Sequence, residues 1–538
     1  MNTDLTSLEL LGLRDFYKGR MNVELHHSLR ELRGLQQHIV EWAAGYREPY
    51  LLVNAPTGIG KTLVGGVYSA LNHGPSTYVV STKALQDQVS RDLGIPTLKG
   101  RDNFDCEVGQ ETHGFDISAA RGVCTFGEWC RYSGADNEFT GEKALPNPCG
   151  YYTQRIAAMA GRGRVTNYPM ALTMPQLRDV SSTLVLDEAH RVEQTVIRSA
   201  SIELNRGAML LYNVRPPSAG TDVTRWAKWA RTQHVKPKDK YDFQAKKLQE
   251  VLRKMATMSS NPDNWIVDTK RGRVFFTPIF GTPFVLPNLF GHEALDAQEL
   301  LKGYTGRKGV SKVMMMSATL LAPDLMERTL GLPVHSYSYL DLNSPFPVRN
   351  RPINYAPVMR MNKASTATAA GRAPMTNVMD RLIDTYLLTG RKAGIIHAVS
   401  RWYRDSIVAE SRWQNVMTTD PLVHTRAVSN GKASVLVSDN IIDGWDGADD
   451  LCRFVLMPKV PFPNLGDAHV KYRQQKDPRS YDYAAMVSVI QGVGRGVRHE
   501  LDKAESWILD ESWEALYKRR GEWLPQSFMA AYHHGVQI

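Results

Sequence analysis

The sequence predicts an α/β protein built from two doubly wound parallel-sheet units. Three observations carry that prediction. Short apolar runs end abruptly at polar residues, helix-like segments lie between many of them, and the alternation occurs twice along 538 residues. The first set of runs is PYLLVN (49–54), STYVVS (76–81), STLVLDE (182–188) and KVMMMS (312–317). The second is AGIIHA (393–398), SVLVSD (434–439), RFVLM (453–457) and SWILD (506–510). Near-continuous apolar runs of this length read as strands buried on both faces, with KTLVGGVYSAL and TNVMDRLIDTYLL among the connecting helices. A proline-bearing stretch near 335–350, LPVHSYSYLDLNSPFPVRNRP, separates the two sets.

The chain is long enough for about three or four compact units. Two insertions interrupt the first set of strands, one holding cysteines (about 102–160) and one rich in Lys, Arg and Trp (about 196–300). A 43% hydrophobic, 22% charged composition is that of a globular protein. The net charge of +10 favours a polyanionic partner, nucleic acid before an anionic membrane. The N-terminus has no apolar core of a secretory signal, and no apolar run is long enough to cross a bilayer. A cytoplasmic location is expected, with thiols reduced, so disulfides explain the cysteines poorly.

The first strand runs into APTGIGKT, residues Ala55, Pro56, Thr57, Gly58, Ile59, Gly60, Lys61 and Thr62. The spacing is that of a P-loop with Ala55 at the first glycine position. Its glycines let backbone N–H groups curl around phosphates, Lys61 reaches the β/γ-phosphates, and Thr62 ligates Mg²⁺. TLVLDEAH places Asp187 and Glu188 at the carboxyl edge of another strand, where open α/β sheets bind ligands. One carboxylate there can hold Mg²⁺ and the other can orient and deprotonate the attacking water. His190 follows as a sensor of nucleotide state. MSATL ends a strand with Ser317, Ala318 and Thr319, whose small hydroxyls suit a relay. QGVGRGVR supplies Gln491 and then Arg495 and Arg498, three apart, so that one helical face could carry both guanidiniums to a γ-phosphate. DGWDG places Asp443, Gly444 and Asp446 after a strand of the second unit, with Gly444 and Asp446 expected at the nucleotide.

In this order, Asp-Glu-Ala-His, Ser-Ala-Thr and Gln-x-x-Gly-Arg-x-x-Arg resemble a superfamily 2 helicase. STKALQDQ (81–88), LKGRDNFDC (98–106) and TNYPMAL (166–172) narrow the resemblance to XPD/DinG-type iron–sulfur DNA helicases, and RGLQQ (33–37) is similar to the entry preceding their P-loop. DGWDG stands where that family usually has Glu-Gly-x-Asp. The resemblance implies two RecA-like motor domains, an inserted iron–sulfur cluster domain and an inserted helical arch-like domain. The divisions it suggests are motor 1 over 1–101, 161–195 and 301–340, the cluster insertion over 102–160, the arch over 196–300 and motor 2 over 341–538. It further implies ATP-driven 5′ to 3′ movement on single-stranded DNA with duplex unwinding, single-stranded or forked DNA as partner, and no need for an oligomer. The motifs leave RNA or an RNA–DNA hybrid open as substrate, and a non-catalytic DNA-binding subunit as a further alternative.

Cys106, Cys124, Cys130 and Cys149 are four of the five cysteines, separated by 17, 5 and 18 residues. Structural zinc favours short paired spacings, which are absent here. Four thiolates on a loop-rich insertion can instead ligate a 4Fe–4S cluster, with zinc or simple packing as alternatives. Their place between STKALQDQ and DEAH is where the resembled family carries its cluster. Cys452 reads as a packed thiol. For a nucleic-acid track, Lys99 and Arg101 are candidate phosphate contacts, Phe104 a stacking ring or a packing residue, and Asn167 and Tyr168 candidates at the DNA face or linking it to the nucleotide. In the basic segment 225–247, Trp226 and Trp229 read as core anchors, and the lysines as either a solvated face or a phosphate track.

Overall fold

The computed structural model describes residues 34–538 apart from 47, 73, 114–115, 127–128, 219, 239–241, 271–272, 286–288, 290–309, 334, 441–446 and 448. Arg33 of RGLQQ, and Asp443, Gly444 and Asp446 of DGWDG, lie outside the described residues.

The chain enters through the helix Gly34–Gly45 and then lays down β1 (Tyr50–Asn54), β2 (Ser76–Val80), β3 (Thr97–Leu98), β4 (Gly163–Asn167) and β5 (Thr183–Asp187). The second insertion contributes β6 (Ile202–Asn205), β7 (Trp265–Lys270) and β8 (Arg273–Pro278). The chain returns with β9 (Lys312–Ser317) and β10 (Tyr337–Asp341). The first sheet runs β10-β1-β9-β5-β2-β4-β3 and is parallel throughout. A second all-parallel sheet is built from β11 (Ile353–Met359), β12 (Ala393–His397), β13 (Met417–Thr418), β14 (Ser434–Ser438), β15 (Phe454–Met457), β16 (Glu505–Asp510) and β17 (Tyr532–His533), in the order β13-β14-β12-β15-β16-β11-β17.

Every residue of β1, β2, β5, β12 and β14 is buried, because helices cover both faces of each sheet. Leu51, Val53, Val185, Met314 and Met316 join one core, and Leu52, Leu184, Leu186, Val313 and Met315 the other, as alternate side chains must. Each such aliphatic side chain contributes about 1.5–3 kcal/mol on burial. Register aligns the ends that matter: Asn54 pairs with Ser317, and Asp187 with Met316, so the P-loop, Asp187 and Ser317 leave one sheet edge together.

Three features differ from the sequence expectation. The proline-bearing stretch holds an edge strand, β10, paired with β1. The second insertion is not wholly helical. Its helices Val223–Arg231 and Phe243–Thr257 pack on the antiparallel sheet β6-β8-β7, with Trp226, Leu248, Leu252 and Phe276 in one core and Trp229 partly buried beside it. Arg495 and Arg498 do not share a helical face, because the helix Pro478–Val493 stops before them at Gly494. Gly496 explains the turn beyond: a Cβ there would lie 2.2 Å from that of Ala504, so the chain must pass tightly over this wall. Among the described residues no helix is long and apolar enough to cross a membrane.

Candidate nucleotide cleft and cysteine site

The P-loop needs its glycines for two reasons. Gly58 and Gly60 adopt φ of 82° and 79°, a left-handed conformation that side chains disfavour. A Cβ on Gly58 would also stand 2.6 Å from the carbonyl oxygen of Arg498, and one on Gly60 2.4 Å from Nε2 of Gln36. Gln36, from the entry helix, donates to the carbonyls of Ile59 (2.7 Å) and Gly60 (3.3 Å), fixing the loop from beneath. Lys61 Nζ donates to the carbonyls of Ala55 and Pro56, each at 3.3 Å, while Thr62 follows it in the first turn of the helix Lys61–Leu71.

Asp187 is buried at the end of β5, and burial, with the Glu188 charge adding, pushes its pKa up to about 6 against the pull of Lys61. For Glu188 burial acts in the same sense, but His190, Lys61, Arg191 and Arg495 together hold the carboxyl below its ordinary value. Glu188 occupies φ 52°, a strained conformation for a residue with a side chain, which turns it out of the strand line. The surrounding cations thus keep Glu188 ionised, while burial works against the charge on Asp187.

A polar chain crosses from one sheet unit to the other. Gln491 Nε2 lies 2.7 Å from His190 Nε2, and His190 Nδ1 lies 2.7 Å from Ser317 Oγ. Ser317 Oγ in turn reaches Glu188 Oε2 at 3.4 Å and Thr319 Oγ1 at 3.2 Å. The imidazole is thereby held at both ring nitrogens, by the Gln491 amide on one side and the Ser317 hydroxyl on the other. Tyr483 Oη, also from the second unit, donates to the Thr319 carbonyl at 2.9 Å. Asn54 Oδ1 accepts from Leu320 N at 3.1 Å while its amide donates to Asp341 Oδ1 at 2.9 Å. Asn54 and Tyr483 were missed in the sequence. A polar residue closing an apolar strand is the signal that could have found Asn54.

Pro56, Thr57, Glu188, Ala318, Thr319, Gln491, Arg495 and Arg498 line one cleft between the units, with Phe346 and Arg351 on its wall. Of the predicted residues these eight line the cleft, while His190 and Ser317 join it through their hydrogen bonds and Lys61 and Asp187 stand beside Glu188. Gly444 and Asp446 are outside the described residues.

The four cysteines also converge. Cys106, Cys130 and Cys149 are buried, Cys124 is half-buried, and none forms a disulfide. A Cβ on Gly122 would lie 3.0 Å from Cys106 Sγ and 3.8 Å from Cys124 Sγ. Burial first, then the neighbouring thiols, raise the pKa values of Cys130 and Cys149. Backbone N–H groups of Tyr132 on the one, and of Tyr151 and Tyr152 on the other, oppose the rise. Cys452 is fully buried far along the chain, its thiol directed at the Phe454 carbonyl.

The predicted nucleic-acid residues separate. Lys99 pairs with Asp87 at 2.6 Å. The Arg101 guanidinium lies 4.5 Å over the Tyr151 ring and donates to the Cys124 carbonyl at 3.3 Å. Phe104 packs edge-on to Tyr151 at 6.0 Å, on the cysteine lobe. Asn167 caps the helix Tyr168–Thr173 and its amide faces Gln86 at 3.4 Å. Of the two places expected for Tyr168, the structure has it away from the surface and on the nucleotide side: it is fully buried, and its hydroxyl donates to the Asp187 carbonyl at 2.7 Å, because it follows β4 into the core beside β5.

Residues 394–530 match the helicase C-terminal domain family. The ATP-dependent DNA helicase chl1 of Aspergillus niger is 28% identical over 155 residues, 23% of this chain and 18% of that protein. The ATP-dependent DNA helicase CHL1 of Saccharomyces cerevisiae is 28% identical over 127 residues, 19% of this chain and 15% of that one. The matches thus span less than a fifth of the length of these curated relatives. Among solved structures, an XPD helicase matches 95% of this chain and all of its own with a TM-score of 0.57 at 17% identity. A structure of apo XPD matches 93% and 100% with a TM-score of 0.53 at 16% identity. The chain has this fold, and in motif order and architecture it resembles the XPD/DinG-type superfamily 2 helicases.

Proposed function

We propose that this chain is an ATP-dependent DNA helicase that moves 5′ to 3′ on single-stranded DNA and couples ATP hydrolysis to duplex unwinding. The observation that carries the reading is the cleft in which Pro56, Thr57 and Glu188 of one sheet unit face Gln491, Arg495 and Arg498 of the other, with Glu188 in the field of both Lys61 and Arg495. The polarity rests on the family resemblance.

Each residue then has a task. Backbone N–H groups of the P-loop receive the phosphates, and Lys61 exchanges two carbonyl partners for phosphate oxygens. Asp187, buried at the carboxyl end of β5, fits as holder of Mg²⁺ with Thr62, which follows Lys61 in the first turn after the P-loop. Glu188, held ionised, accepts the proton of the attacking water. Arg495 and Arg498 meet the charge that develops on the γ-phosphate. Loss of that phosphate is relayed through Ser317, His190 and Gln491 to the second unit. Gly444 and Asp446 are assigned to the nucleotide by resemblance.

Cys106, Cys124, Cys130 and Cys149 fit a 4Fe–4S cluster. Unpaired thiols stand together with backbone N–H groups aimed at two of the sulfurs. A bound cluster would supply folding free energy to an insertion of short 3₁₀ turns and little apolar core. The same reading has the protein working in the cytoplasm as a monomer on single-stranded or forked DNA.

The test is strand separation on forked DNA with ATP, with RNA forks in parallel. Cluster-loaded protein should unwind DNA, and Glu188→Gln should lower ATP turnover by about 100-fold or more. Absence of DNA unwinding by loaded protein overturns the proposal.

A further inference from the structure

Asp502 is fully buried just beyond the arginine pair. Its Oδ2 accepts from the backbone N–H of Arg498 at 3.0 Å. Its Oδ1 accepts from the N–H groups of Asp449 (3.2 Å) and Lys503 (2.9 Å) and from Arg453 Nη1 (3.0 Å). One carboxylate therefore ties together two segments that come from opposite sides of β15. The first is the turn Asp449–Leu451, where Asp449 takes a left-handed φ of 56°. The second is the peptide of Arg498, whose carbonyl abuts the P-loop at Gly58.

The ligating atoms of Asp449, His499 and Asp502 lie within 4.8 Å of one another, a spacing that could suit a cation. The donors already on Asp502 speak against that use. Four N–H groups, one of them cationic, occupy its oxygens, and His499 Nε2 already meets Asp449 Oδ1 at 2.8 Å. The cluster is built to receive N–H donors.

We infer that Asp502 is the positioning residue of the arginine pair, setting the Arg498 main chain at a fixed height over the P-loop and locking the Asp449–Leu451 turn to it. This rests on the proposed ATPase reading of the cleft. A buried carboxylate that accepts several N–H bonds is costly to move, because four donors lose their shared acceptor at once. A guanidinium acts on a developing charge only if its backbone is placed beforehand, and misplacement by about 1 Å can cost about 100-fold in rate. Asp502 is fully buried and does not line the cleft. It acts through Arg498.

The experiment is Asp502→Asn in full-length, cluster-loaded protein, measured by DNA-stimulated ATP turnover and by binding of ADP and of ADP–aluminium fluoride. Asparagine is nearly isosteric but turns an N–H₂ toward donors. Expected are a kcat about 100-fold lower, an ATP KM within about 2-fold of wild type, unchanged affinity for ADP, and lost preference for the transition-state analogue. A purely structural role would weaken ADP, analogue and DNA binding together and lower the Tm, and that outcome overturns the inference, as does wild-type turnover. Should Asp502→Asn fail to fold, Arg453→Met removes only the cationic donor, and the same split between ADP and analogue is expected with a loss of about 10-fold. Wild-type binding of both ligands by a folded Arg453→Met protein would then overturn it. If wild-type protein itself lacks DNA-stimulated turnover, the helicase reading fails instead, and the two failures are distinguishable.

Discussion

His190 and Gln491 face each other across the cleft with their Nε2 atoms 2.7 Å apart, joining a residue that follows β5 of the first sheet to the last helical turn before the arginine pair. The contact is useful because His190 is itself bonded to Ser317, and Ser317 to Glu188. Ser317, His190 and Gln491 thus form a hydrogen-bonded connection from Glu188 to the second unit.

Gln491→Ala removes the amide from this chain and leaves His190 Nε2 without its cross-cleft donor. The hydrogen bond is worth about 1 kcal/mol, so DNA-stimulated ATP turnover should fall roughly 5- to 10-fold with little change in ATP binding. Comparing turnover with and without single-stranded DNA checks it. Equal stimulation in variant and wild type would argue that the chain transmits nothing.

Gly58→Ala tests the approach of the two units. The substitution meets both a left-handed φ of 82° and the Arg498 carbonyl 2.6 Å from the new Cβ. The conformational strain alone costs about 1–2 kcal/mol, so ATP affinity and turnover should drop about 10-fold or more, with single-stranded DNA binding retained. Nucleotide titration and a DNA mobility assay separate the two effects.

His397 carries a pH prediction. It closes β12, buried, with Nε2 donating to the Gly492 carbonyl at 3.2 Å. Burial, helped by the Arg495 charge, lowers its pKa from 6.5 to about 4. The folded form therefore binds fewer protons than the unfolded form between these values. Its contribution to stability is fully present above about 6.5 and is lost as pH falls toward 4, amounting to about 3 kcal/mol at most. Denaturant unfolding of wild type and His397→Gln from pH 7 to pH 4 should show this slope only in the wild type.

Serine at Cys106, Cys124, Cys130 or Cys149 should abolish the visible absorption of anaerobically purified protein, lower the Tm and abolish strand separation. Serine at Cys452, a buried thiol outside the cluster, should leave the absorption intact. A colourless wild type, or zinc recovered in its place by metal analysis, would contradict the iron–sulfur assignment.

Legibility followed locality. The central strands were readable because burial on both faces writes an unbroken apolar run. The edge strand β10 was hidden in a proline-bearing stretch whose YSYLD is only half-buried. Strands β6 and β8 were hidden because their inward residues alternate with exposed or half-buried ones inside an otherwise basic segment. Tyr168 shows the limit for a single side chain. Its neighbour Asn167 stops at a helix cap, while the tyrosine turns inward to Asp187, and spacing alone does not distinguish the two directions.

The sequence by itself determined the α/β class, the P-loop, the Asp-Glu pair, the arginine pair and the grouping of the cysteines, because each depends on residues close together in the chain. Only the tertiary structure decided that Gln491 meets His190 over 301 positions, that the Arg498 carbonyl closes on Gly58, and that Asp502 holds both segments behind it. Those relations follow from sheet register and from where a helix stops, and these are set by packing between distant segments.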